Sequence, residues 1–266
     1  MLFKSAVKNY RSKSILFFIC FLSTAVAHAI VNVESLRIDP DQEQSGFDGL
    51  FSLDINGNNG NTQNARAGLG MQLKWYDQYS TDLFIVDYAY GESDNVKDMD
   101  KSFMHYRHVW YASDWLSWEA FGQLQTDEFT RLKLRSLLGA GARFSLLRDD
   151  DNHTAYIGVG VFRSREKLDP LTGSTTVEED YATRINFYQV YQYRISDNSR
   201  LVNMVYYQPD VSEFADYRLL EQLAIKVDIN RSLALKISLD VARDSRPPQA
   251  VRKTDTSYNT GLEYRF

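Results

Sequence analysis

From Asp48 to Phe266 the chain alternates apolar and polar residues in short runs separated by polar clusters. Successive side chains of a strand point to opposite faces, so this alternation predicts β-strands with one apolar face. Candidate strands are 48–55, 62–76, 81–90, 102–112, 116–126, 129–147, 154–164, 181–195, 200–208, 214–228, 232–244 and 254–266. In 129–147, Leu132, Leu134, Leu138, Ala140, Ala142, Phe144 and Leu146 share one face, and Arg131, Lys133, Arg135, Gly139, Gly141 and Arg143 share the other. In 232–244, Leu233, Leu235, Ile237, Leu239 and Val241 oppose Lys236, Ser238 and Asp240, and 62–76 segregates in the same way. With no helix-period stretch and no repeat, the pattern predicts an all-β chain of about twelve antiparallel strands (10 to 14), an even number that suits a closed transmembrane β-barrel.

Alternation alone does not say which row is inward, because a soluble barrel gives the same pattern with its apolar row inside. Three features favour the membrane. Tyr and Trp gather near strand ends (Trp75, Tyr88, Tyr90, Trp110, Trp118, Tyr193, Tyr264), as in interfacial girdles. Connections alternate between a short set (77–80, 113–114, 148–152, 196–199, 229–231) and a longer set (91–101, 165–180, 245–253), with 127–128 as the exception. Short periplasmic turns and longer external loops are the usual asymmetry. The final segment, 257–266, places Tyr258, Thr260, Leu262, Tyr264 and Phe266 on one face, and with Gly261 it looks like the assembly signal read by the barrel-assembly machinery of bacterial outer membranes. One residue fits poorly: Glu221 points at lipid beside Leu219 and Leu223.

The amino terminus sharpens the compartment. Residues 1–29 read as a secretory signal peptide, with Lys4, Lys8, Arg11 and Lys13, an apolar run over 15–26, and Ala27-His28-Ala29 as the cleavage site. Residues 30–47, with Asp39, Asp41 and Glu43, form a polar periplasmic segment or a partial plug, and 48–266 form the barrel. Four of the 30 Lys and Arg lie in the leader, leaving 26 against 35 Asp and Glu, a mature charge of −9 that argues against nucleic acid as a partner. The single cysteine, Cys20, lies in the leader and lacks the small neighbour of a lipoprotein site, so neither a disulfide nor a lipid anchor is expected. Mean hydropathy is −0.40, compatible with a barrel whose strands show only alternate residues to lipid.

Candidate chemistry is sparse. His105 and His108, three apart on one strand, point to opposite faces, and His153 sits at a turn, so no Ser–His pairing is apparent and no catalytic residue is assigned. The acidic runs 149–151 and 178–180 and the set Asp94, Asp98 and Asp100 lack calcium-loop spacing and read as solvated turns, so no metal or cofactor residues are assigned. The inward row is expected to hold Arg66, Lys74, Glu119, Arg131, Lys133, Arg135, Arg143, Arg184, Arg194, Lys236, Asp240, Glu263 and Arg265, with Asp54, Asp87, Asp228 and Asp255 among them. Cationic rows can select anionic solutes, whereas opposite charges can cross-link a lumen shut. Twelve strands lie between the filled barrels of about eight and the open ones of about 16.

The stretch 243–256, Gly60-Asn61-Thr62 and the run 135–141 together resemble an uncharacterised outer-membrane β-barrel family, a domain of unknown function whose members are labelled salt-induced outer membrane proteins. The resemblance spans most of the mature chain and implies a barrel in contact with outer-membrane lipid and lipopolysaccharide. The leading functional expectation is a narrow passive channel for small solutes. The alternatives are a non-conducting structural or envelope-stress barrel and, third, a lipid-acting enzyme.

Overall fold

The computed structural model describes residues 45–58, 64–147, 152–171, 173–249 and 251–266. The leader with its cleavage site, residues 30–44, residues 60–62 and the acidic run 149–151 lie outside the described residues. Twelve strands follow in order: β1 (Gly46–Asn58), β2 (Asn64–Tyr76), β3 (Ser80–Ser93), β4 (Val96–Tyr111), β5 (Leu116–Asp127), β6 (Leu132–Leu147), β7 (His153–Leu168), β8 (Glu178–Ser196), β9 (Ser199–Pro209), β10 (Tyr217–Asp228), β11 (Leu233–Asp244) and β12 (Thr254–Arg265). Each pairs antiparallel with its chain neighbours, and β1 pairs with β12 to close the barrel. That seam is short, running from Leu50↔Arg265 to Leu53↔Leu262, whereas β1 and β2 pair from Gly46↔Tyr76 to Asn58↔Asn64. Reciprocal backbone bonds of 3.0 Å between Gly49 and Phe266 extend the seam, and the Phe266 ring lies over Gly49 where a Cβ would collide with it.

Burial decides the orientation that alternation left open. Arg107 and Glu263 are each 2 % exposed, whereas Leu138 is 73 % and Leu69 47 % exposed. Charge is inside and the apolar row outside, the reverse of a water-soluble barrel, so the outer face has only lipid to bury it. Trp75, Trp110, Trp118 and Tyr264 are exposed at the end carrying the 77–79 and 112–115 turns. Glu221 does face outward, where Asn203 Nδ2 donates to it at 3.5 Å.

Strand limits depart from the sequence reading in several places. Gly46 and Phe47 belong to β1 rather than to a preceding segment. No long loop spans 91–101: β3 and β4 continue to a two-residue turn in which Asp94 (φ 51°) and Asn95 (φ 60°) both adopt the left-handed conformation, the backbone that fits the strand twist. Strands β7 and β8 likewise extend toward each other, shortening the 165–180 connection to 169–177. Strand β6 starts at Leu132, after a 3₁₀ turn (Glu128–Thr130) capped by the Asp127 carboxylate, which accepts from Phe129 N and Thr130 N.

Candidate functional site

Three groups of side chains fill much of the lumen. The first is apolar: Leu83, Ile85 and Phe103 from β3 and β4 join Tyr188, Val190, Met204, Tyr206 and Leu220 from β8 to β10 in one buried cluster. These strands stand on opposing walls, so the cluster crosses the barrel.

The second group surrounds Glu119 of β5. Its Oε2 accepts from Arg107 Nη1 at 3.2 Å and from Tyr188 Oη at 2.8 Å, and Arg143 Nε stands 3.8 Å from its Oε1. Gly158 makes this possible: a Cβ there would overlap the Tyr188 ring, so only glycine lets the ring lie on the β7 wall. The arginines also stack on aromatic faces, Arg143 over Tyr156 at 4.8 Å and Arg107 over Phe121 at 5.5 Å.

The third group lies toward the opposite end from the chain terminus. Glu166 of β7 accepts from Arg135 Nε at 2.8 Å and from both terminal nitrogens of Arg218, at 2.6 and 3.0 Å. Arg218 Nε also donates to Asp244 at 3.0 Å, and Arg135 Nη1 to Gln125 at 3.2 Å. The network joins β5, β6 and β7 to β10 and β11 across the lumen. Near it, Arg184 donates to both Asp216 oxygens at 3.0 Å and pins the 210–216 connection.

A chamber of about 250 Å³ remains beside these groups, against β1 to β5 and β10 to β12. Four carboxylates line it, Asp54, Asp87, Asp240 and Glu263, with two amines, Lys101 and Lys236. Ser52, Gly68, Gly70, Ser238 and Gly261 provide the space. A Cβ on Gly261 would occupy the place of the Asp54 carboxylate, and one on Gly70 would meet Ser52 and Asp87. Asp240 accepts from Gln222 and from Asn259 Nδ2, the latter at 2.7 Å, and Glu263 accepts from Lys226 at 3.1 Å.

Of the residues expected on the inward row, Lys74, Glu119, Arg135, Arg143, Arg184, Asp240 and Glu263 are buried inside the barrel. Arg66, Lys236 and Arg265 face inward and are half-buried, Arg66 donating to Asp98 at 2.7 Å and Arg265 to Asp228 at 2.9 Å. Three do not join them. Arg131 has φ 60° at the end of the 3₁₀ turn and donates to the Asp169 carbonyl and to Glu178, tying two connections together outside the lumen. Lys133 is the extra residue of a β-bulge between Leu132 and Leu134 and is exposed. The same bulge turns Leu132 inward, where it is buried, although its spacing put it on the lipid row. Arg194 lies exposed where β8 runs out at the 197–198 turn.

Of the described acidic groups, Glu179 is engaged by Arg165 and Lys167, Asp98 by Arg66 and Asp100 by Lys97. His105 points inward between Phe103 and Phe121, whereas His108 points outward with its Nδ1 2.7 Å from Asp82. Arg107, Glu166, Tyr188, Arg218 and Asp244 escaped the sequence reading. Glu166 lies two residues past the expected end of its strand, and β8 carries aromatics on both faces, which hides Tyr188.

The fold is similar to that of solved outer-membrane barrels. The COG4313 outer membrane channel from Pseudomonas putida F1 matches with a TM-score of 0.50 and 12% identity, over 86% of this chain and 100% of that one. The NanC porin gives 0.47 and 9%, over 82% and 99%, and the translocator domain of autotransporter NalP from Neisseria meningitidis gives 0.46 and 11%, over 85% and 90%. No curated protein matches in sequence. A family model spans the inward charges and the chamber alike: the chain belongs to the family described as "Protein of unknown function, DUF481", matched over residues 52–266.

Proposed function

We propose that this outer-membrane barrel is a narrow passive route for small solutes, with the eccentric chamber as its selective step. The supporting observation is the contrast within one lumen: apolar and ion-paired groups fill part of it, while a chamber of about 250 Å³ with carboxylates and amines on its wall stays open beside them. With four carboxylates and two amines on its wall, the chamber favours small cations. The other cationic side chains of the inward row, which as a bare sequence suggested anions, are largely held by Glu119, Glu166, Asp216 and Asp228. The reading includes export by a leader cleaved near Ala29 and insertion by the barrel-assembly machinery, with the end carrying the 77–79, 112–115 and 197–198 turns periplasmic.

Planar-bilayer recording of the refolded protein tests it. Small conductance with a cation-selective reversal potential is expected, and Asp54→Asn with Asp87→Asn should abolish the selectivity. Silence at every voltage and salt concentration would sink the proposal in favour of the second reading, a non-conducting envelope barrel. That reading draws its support from the Glu166–Arg218 pair across the lumen. No catalysis is assigned, so the acyl composition of membranes should be the same with and without the protein.

A further inference from the structure

The outer wall carries a groove of about 580 Å³ over β3 to β8. Its floor is low because Gly122 and Ser136 face outward there, between the larger Tyr106, Leu124 and Leu138. At the end away from the chain terminus, β7 points Arg163, Arg165 and Lys167 outward on successive alternate positions. Glu179 bonds Arg165 and Lys167. Arg163 is exposed, donates to the Thr183 hydroxyl at 3.0 Å and lies over the Tyr181 ring at 6.0 Å; among the described residues no carboxylate bonds it. An arginine on the lipid face of a barrel is unfavourable unless an anion meets it.

We propose that this groove is a binding site for a phosphorylated, multiply acylated lipid of the lipopolysaccharide class. An acyl chain lies over Gly122 and Ser136, and a phosphate is held by Arg163 with Arg165 beside it. The apolar floor and the excess of two positive charges over Glu179 match the two halves of such a lipid, and guanidinium groups suit phosphate geometry. The lipid class rests on the orientation proposed above, with the 169–177 connection external; the groove itself is independent of conduction.

Native mass spectrometry of the full barrel in detergent, titrated with bis-phosphorylated lipid A, tests the assignment. Arg163→Gln should weaken binding about tenfold, and dephosphorylated lipid A should bind as weakly to the native protein. Gly122→Leu fills the floor; a Cβ at 122 would find its nearest neighbours at 3.8 Å, so the barrel can accept the side chain and heat-modifiable migration should be unchanged. It should reduce lipid binding about tenfold as well. Equal binding by both variants, equal binding of the dephosphorylated lipid, or competition by millimolar inorganic phosphate alone would overturn the proposal. Equal affinity for phosphatidylglycerol would overturn the lipid class, whatever the conductance records show.

Discussion

Glu166 on β7 accepts both terminal guanidinium nitrogens of Arg218 on β10, at 2.6 and 3.0 Å, although two strands separate theirs in the wall. Such a pair cuts across the interior inside β8 and β9, and a bidentate carboxylate–guanidinium contact also fixes orientation. Glu166→Gln would leave Arg135 and Arg218 buried without their shared carboxylate, which destabilises by about 3 kcal/mol for a broken buried pair. The expected outcome is a lower unfolding temperature together with larger conductance steps. Unchanged stability would mean that water already solvates the network.

The short seam between β1 and β12 ends with the Phe266 ring packed on Gly49. Gly49→Val places a branched side chain where the Phe266 ring now lies, and Phe266→Ser removes the ring while keeping the backbone bonds. Both variants should reduce the heat-modifiable folded species, with Gly49→Val the more severe because the β1 face itself is blocked. Full folding of Gly49→Val would show that the ring has room to move.

Glu221 is an outward acid within an otherwise apolar row, bonded at 3.5 Å by Asn203. Glu221→Leu should therefore raise stability against urea in bilayers, by about 1 kcal/mol if the site lies within the hydrocarbon. A decrease would indicate an outward partner, such as a second barrel, at this position.

The 77–79 turn supplies a pH-dependent element outside the membrane. Backbone N–H groups of Tyr79 and Ser80 donate to the Asp77 carboxylate at 2.7 and 2.8 Å and hold its pKa below the ordinary carboxylate range. A depressed folded pKa adds stability that is present above the unfolded value and is lost as pH falls through the folded one. Carboxyl-carbon NMR should show Asp77 titrating below the ordinary aspartate range, and Asp77→Ala should flatten the acid limb of turn melting. Titration of Asp77 at the ordinary aspartate value would exclude the backbone effect.

Much of the barrel was legible in the chain itself. Period-two alternation was enough for twelve antiparallel strands, because it fixes which residues share a face. It read the two faces of 233–244 and 65–76 correctly, since both are regular. It misread Lys133 and Arg131, because one extra residue in a bulge inverts every face beyond it, and nothing local in 129–134 marks that insertion. It also gave no view of Glu166, Tyr188 and Arg218, whose partners are 26 to 69 residues away along the chain.

Two things were decided only in three dimensions. Alternation is symmetric between a membrane barrel and a soluble one, so the buried Arg107 and exposed Leu138 were needed to say which row faces water. The contents of the lumen depended on closure, because only a closed wall brings Leu83 and Leu220 into one cluster and leaves Asp54 and Asp87 beside an unfilled space. The sequence by itself determined the strands and their two faces, since those are local properties of the backbone; the lumen belongs to the opposing walls, and no single strand contains it.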